Sequence, residues 1–183
     1  MNRTKKGRWP TMLSLVLAGE SIYMLPYMRK TFQTSMEQVF QVTSTELGIL
    51  NSAFGILALI CYFPGGWVAD RFSARKLLVL SLALTGLGGL SLLTGPGYEG
   101  LLVIHALWGI STILTFWAPL IKATRNWGSS EEQGKSFGLL DGGRGAVGAL
   151  LASLATAAFA SFGDTTEESL RAVFWVYAGA NFV

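Results

Sequence analysis

Long apolar runs alternate with short polar stretches along this chain, and the charges gather in the polar stretches. Five apolar windows, at about residues 10–28, 47–68, 77–94, 100–121 and 136–161, meet or approach the length of a membrane-crossing helix. A helix rising about 1.5 Å per residue needs roughly 20 residues to cross a hydrocarbon core about 30 Å thick. A sixth run, at residues 172–183, amounts to about 12 residues and roughly 18 Å, too short to cross. The connections at residues 94–100 and 162–170 are short, a longer first loop is expected at residues 30–46, and no linker divides the chain. The pattern predicts an all-α membrane protein, with residues 1–183 forming one transmembrane bundle of five helices and an incomplete sixth. The first window contains Glu20 and Pro26 and runs into Arg29 and Lys30 without a small-residue cleavage site, so it reads as a retained helix and not as a signal peptide.

Composition agrees. The 183 residues are 51% hydrophobic and 14% charged, with mean hydropathy +0.45, whereas a soluble domain carries about a quarter charged residues. The single cysteine, Cys61, lies inside an apolar run, so the chain alone builds neither a disulfide framework nor a Cys-based metal site, and no metal or cofactor is expected. The net charge of +3 does not point to nucleic acid, because the basic residues sit at the ends of apolar runs, where membrane topology accounts for them. One side collects Arg3, Lys5, Lys6, Arg8, Arg71, Arg75, Lys76, Lys122, Arg125 and Lys135; the other has Arg29, Lys30 and Arg171, a division of ten to three that omits Arg144 inside the fifth window. The positive-inside rule then makes the N-terminus and residues 66–76 cytoplasmic in a multi-pass protein of the cell (inner or plasma) membrane.

Residues 66–76 read Gly-Trp-Val-Ala-Asp-Arg-Phe-Ser-Ala-Arg-Lys. The spacing of Gly66, Asp70, Arg71, Arg75 and Lys76, in a loop between two apolar segments, resembles the signature loop between helices 2 and 3 of the major facilitator superfamily, with Ser73 where that family has a second glycine. The resemblance implies a fold of two six-helix bundles related by a pseudo-two-fold axis, of which this chain would supply the N-terminal one. It implies secondary active transport of a small polar solute such as a sugar or organic acid by alternating access, with the C-terminal bundle as missing partner and the chain as a fragment; the proton coupling expected of it rests on Glu20, below. Within the loop, Gly66 would allow close helix approach. Asp70 would face a helix end of the second bundle, and the basic residues would pair nearby acids, with Glu131 and Glu132 as candidates here. Topology alone explains Arg71, Arg75 and Lys76 but not Asp70. Met24-Leu-Pro-Tyr and residues 125–134 are similar to the sugar-phosphate and organic-anion permease branch. Its phosphate-ester binders carry an arginine about two turns before the proline; here that region reads Ala18, Gly19, Glu20, so the resemblance does not extend to such a site.

Several polar residues inside apolar windows are candidates for the substrate or proton pathway. Glu20 lies about ten residues into the first helix, roughly 15 Å deep. An ionisable group there costs at least about 2.5 kcal/mol to insert, so it should face protein or water. It either couples transport to a proton, or binds a cationic or hydroxyl-rich substrate, or serves packing alone as a protonated group hydrogen-bonded to a neighbouring helix. Tyr23 and Tyr27, at i+3 and i+7, share its face, and Asn51 is a polar interruption of the second window. In the fourth window His105, Trp108, Thr112 and Thr115 form a polar stripe expected to face a cavity. A lone histidine such as His105 is more often a satisfied interhelical hydrogen bonder than a proton relay, and Trp108 could stack on a substrate or fill the core. Asp141 and Arg144, at i and i+3, can pair with each other, or Arg144 can enter the cavity and serve an anionic group. In the resembled fold helices 1, 2, 4 and 5 line the pathway.

Three other readings remain at this level. An intramembrane serine enzyme would use Gly109-Ile-Ser111, but the one histidine, His105, precedes the serine by six residues on the same helix and off its face, so no base is available. A transporter-like sensor that binds solute without moving it has the same sequence character. So does a half-transporter that pairs with a second bundle.

Overall fold

The computed structural model describes residues 8–183; Arg3, Lys5 and Lys6 of the topology count lie outside the described residues. The described residues form α1 Arg8–Met24, α2 Arg29–Phe40, α3 Ser44–Arg71, α4 Ala74–Ser91, α5 Tyr98–Thr112, α6 Ala118–Arg125, α7 Gln133–Ser161 and α8 Thr166–Gly179, all but α2 at expected apolar runs. Among the described residues, four helices are long and apolar enough to cross a membrane, Ser44–Arg71, Ala74–Thr94, Tyr98–Arg125 and Ser130–Ser161. The 17 residues of α1 give about 26 Å, and a turn at residues 25–28 joins α1 to α2.

Short polar signals start these helices. Thr43 Oγ1 accepts from the Glu46 backbone N–H at 3.2 Å, and the Glu46 carboxylate accepts from the Thr43 N–H at 2.7 Å. This capping box satisfies orphan donors at the start of α3. Thr165 and Glu168 do the same for α8, as Ser129 and Glu132 do for the turn before α7.

The expected first loop is largely helix. Within α2, Phe32, Met36 and Phe40 recur every four residues and are buried. Phe32 lies against Tyr177 and Phe40 stacks on Phe174, at ring-centroid distances of 6.4 and 6.0 Å, so α2 covers one end of α8. Three apolar residues at this spacing supply a helical stripe too short to register as a span.

Lipid is as apolar as leucine, so packing and interhelical hydrogen bonds, not transfer from water, hold the bundle together. A Cβ on Gly109 would collide with the Phe54 carbonyl, so α5 and α3 touch backbone to backbone there. Gly65, whose Cβ would lie 3.2 Å from the Ile113 carbonyl oxygen, makes a similar approach, whereas a Cβ on Gly66 would meet nothing within 4 Å. Of the neighbouring pair Gly65 and Gly66, it is Gly65 that makes a close approach within this bundle, and Gly66 faces open space.

The polar stripe of α5 also differs from expectation. It faces α4, where Thr115 and Ser81 hydroxyls lie 2.6 Å apart, Ser111 and Thr85 hydroxyls lie 2.9 Å apart, and Trp108 Nε1–H donates to the Thr85 carbonyl at 3.1 Å. Thr112 bonds the Trp108 carbonyl of its own helix. In an apolar surround, side-chain hydroxyls are satisfied by the nearest backbone or partner helix, and α4 offers both.

Candidate functional site

A cleft of about 610 Å³ opens between α1, α3, α7 and the five-residue π-turn Ile113–Trp117 that joins α5 to α6. Its walls include Glu20, Tyr23 and Tyr27 from α1 and the turn after it, Ala58 and Tyr62 from α3, Trp117 from the π-turn, and Arg144 from α7. Single-turn π segments arise where one residue too many occupies a helix, and they commonly re-aim side chains at functional sites. Here the turn lines the cleft with both Ile113 and Trp117.

Arg144 is the hub. A Cβ on Gly148 would lie 2.9 Å from Glu20 Oε1, so α7 passes very near α1 at this level and brings the guanidinium within reach of the α1 backbone. Arg144 Nε donates to the Gly19 carbonyl at 3.0 Å and lies 3.3 Å from Glu20 Oε2, and an Nη atom lies 3.5 Å from Asp141 Oδ1. The guanidinium carbon is 5.7 Å from the ring centroids of both Tyr23 and Trp117, within cation–π range. The side chains of Arg144 and Glu20 are 19% and 23% exposed while that of Asp141 is 70% exposed. The pair shielded from water is therefore the one across α1 and α7, and the intrahelical pair is its exposed accessory. Shielded ion pairs interact more strongly than surface ones.

The structure thus brings Glu20, Tyr23, Tyr27 and Arg144 to one cleft, while Asp141 pairs with Arg144 without lining it. Asn51 lines an adjoining cavity of about 620 Å³ together with Arg29, Lys30 and Gln33. His105 and Trp108 lie elsewhere. Both are buried, their rings 5.0 Å apart, and His105 Nδ1 bonds the Leu101 carbonyl at 2.8 Å. Sequence reasoning missed Lys30, which was counted only as a topology charge, and Tyr62, Trp117 and Phe54, which give no charge signal inside their apolar runs. Among the described residues no group of three or more His, Cys, Asp or Glu side chains converges as a metal site.

The loop motif sits at the end of the bundle away from α2. Lys122 Nζ at the end of α6 donates to the Ala69 carbonyl at 2.8 Å and to Asp70 Oδ1 at 3.2 Å. Arg71 lies over the Trp67 ring, 4.1 Å from its centroid. Arg75 and Lys76 are exposed and form no ion pair among the described residues. Glu132, a candidate partner for them, instead binds Arg8 at 2.7 Å. Arg8 also lies over Trp127, 4.5 Å from its ring centroid, so the clasp ties the start of α1 to the segment before α7. Because the Asp70 side chain is 82% exposed, Lys122→Ala is expected to shift bundle stability by less than about 1 kcal/mol. Thermal unfolding of the purified protein checks this; a loss of several kcal/mol would make the contact a structural one.

The Major Facilitator Superfamily model matches residues 11–183. Inner membrane protein YqcE of Escherichia coli (strain K12) is 35% identical over 178 residues, covering 97% of this chain and 42% of that protein. The hexuronate transporter of Bacillus subtilis (strain 168) is 25% identical over 145 residues, 79% of this chain and 34% of the relative. The D-galactonate transporter of Escherichia coli O6:H1 is also 25% identical, over 152 residues, with the same two shares. The chain spans less than half the length of each of these relatives. No solved structure matches it.

Proposed function

The chain belongs to the major facilitator superfamily, and from that membership we propose that it forms the N-terminal bundle of a secondary transporter for a small hydroxylated carboxylate. The observation that carries this reading is Arg144, a guanidinium shielded in the cleft wall and tied to Gly19 and Glu20. A guanidinium binds carboxylates through its planar fork, and tyrosine hydroxyls beside it suit a polyol chain. Two relatives named for hexuronate and D-galactonate support this class of solute.

Glu20 supplies the coupling. While ionised it occupies Arg144; a proton on Glu20 removes its charge and frees the guanidinium for the solute carboxylate. Proton and solute then enter together, as in symport, because each disfavours the unoccupied pair. In the same reading the N-terminus and residues 66–76 lie in the cytoplasm, by the charge asymmetry of the loops. Gly66 and Asp70 face a second bundle, the partner that also closes the open side of the cleft. Asp70 near a helix end of that bundle contributes about 0.3 to 1 kcal/mol to one conformation, enough to shift its population severalfold.

Glu20→Gln in the complete transporter tests the coupling. The variant mimics the protonated acid, so it is expected to exchange solute across the membrane but to lose accumulation driven by a proton gradient. Full accumulation that responds to the gradient as wild type does would remove Glu20 from the coupling role.

A further inference from the structure

Among the described residues, the outer cavity beside the cleft has no acidic residue in its wall, although it carries both Arg29 and Lys30. Tyr27, Lys30 and Phe54 belong to both cavities, so they form the partition between them. Tyr27 and Phe54 meet edge to face across it, with ring centroids 5.6 Å apart. The Lys30 ammonium lies 4.5 Å from the Tyr27 ring centroid and forms no ion pair among the described residues. Arg29 is otherwise engaged, donating to Gln33 Oε1 at 3.2 Å and to the Ser44 carbonyl at 3.3 Å. It acts as a fixed positive wall, and Lys30, which feels the Glu20 charge across the inner cleft but makes no ion pair with it, is the cation available to bind.

A concave wall with positive charge and no counter-charge concentrates small anions. Threonine hydroxyls at 31 and 34 and the Asn51 amide add donors and acceptors for a hydroxylated solute. We propose that the outer cavity is a second subsite, in which Lys30 holds a small hydroxylated carboxylate before the Tyr27–Phe54 partition parts and Arg144 receives it. This rests on the reading of the inner cleft as a carboxylate site. Along the path the cations follow in order, Arg29 at the outer wall, Lys30 at the partition and Arg144 inside.

Two single-cysteine reporters in a Cys61→Ser background of the complete protein, held in membrane vesicles, test the subsite. Thr34→Cys reports the outer cavity and Leu59→Cys the inner cleft, each labelled as a mixed disulfide by an anionic methanethiosulfonate, with methanesulfinate leaving, in the presence and absence of D-glucuronate as the probe. D-Glucuronate is expected to slow labelling of Thr34→Cys at least about threefold, and to do so still when Arg144→Gln is added. Lys30→Gln should abolish this protection and Lys30→Arg should retain it. Protection at Leu59→Cys, in contrast, should depend on Arg144. If D-glucuronate protects Leu59→Cys but not Thr34→Cys, the outer subsite is wrong while the inner site stands. Protection at both positions that vanishes with Arg144→Gln would also overturn it, since one site would then account for both. Protection at Thr34→Cys alone would overturn the inner site and with it the transfer from Lys30 to Arg144, leaving only a separate anion site at Lys30.

Discussion

Arg144→Gln in the complete transporter is expected to cut uptake at low solute concentration by about 100-fold or more, with a normal yield of folded protein. Truncating one partner of a shielded, hydrogen-bonded charge pair costs about 2 to 5 kcal/mol, and about 1.4 kcal/mol corresponds to a factor of ten. The variant loses the donor to the Gly19 carbonyl and the charge opposite Glu20, so neither the solute nor the resting acid finds its partner. Arg144→Lys should recover little, because a single ammonium cannot serve the α1 carbonyl and a bidentate carboxylate together. Uptake rates, normalised to monodisperse protein, check both variants. Loss of folded protein in detergent, instead of loss of uptake, would reduce Arg144 to a packing residue paired with Glu20 and Asp141.

Gly109→Val is expected to cost the bundle about 3 kcal/mol, lowering its melting temperature by roughly 10 °C. The added side chain runs into the Phe54 carbonyl of α3, and a helix backbone already committed to its own hydrogen bonds cannot yield as a side chain would. Relief requires α3 and α5 to separate, which forfeits packing where lipid offers no hydrophobic compensation. Gly66→Ala is the control, since its Cβ meets nothing within this bundle; it should melt as wild type does. A larger side chain at Gly66 should impair uptake only, if a second bundle closes against that face. Wild-type melting of Gly109→Val would show that the α3–α5 contact is looser than the structure has it.

The helical plan and the family were legible because membrane helices write themselves in long apolar runs and the residue 66–76 motif has a specific spacing. α2 was not legible as a helix: its stripe is three residues, and what fixes it is aromatic packing on Tyr177 and Phe174, more than 130 residues downstream. The pairing of Glu20 with Arg144 was hidden for the same reason. Each was visible as a charge within an apolar run, but their partnership needs α1 and α7 to pass closely at Gly148. His105 and Trp108 show the opposite error. A polar stripe on a helix predicts a polar partner, and periodicity does not distinguish a cavity from the hydroxyls of Ser81 and Thr85 on α4. The capping boxes at Thr43 and Thr165 were readable as Thr-x-x-Glu and would have placed the starts of α3 and α8.

The most direct measurement is uptake of radiolabelled D-glucuronate and D-galactonate by proteoliposomes holding the complete protein, under an imposed inward proton gradient. Accumulation that a protonophore abolishes and that Arg144→Gln removes is expected. Flux that is unaffected by Arg144→Gln, or binding of these solutes without any flux, would contradict the proposed symport.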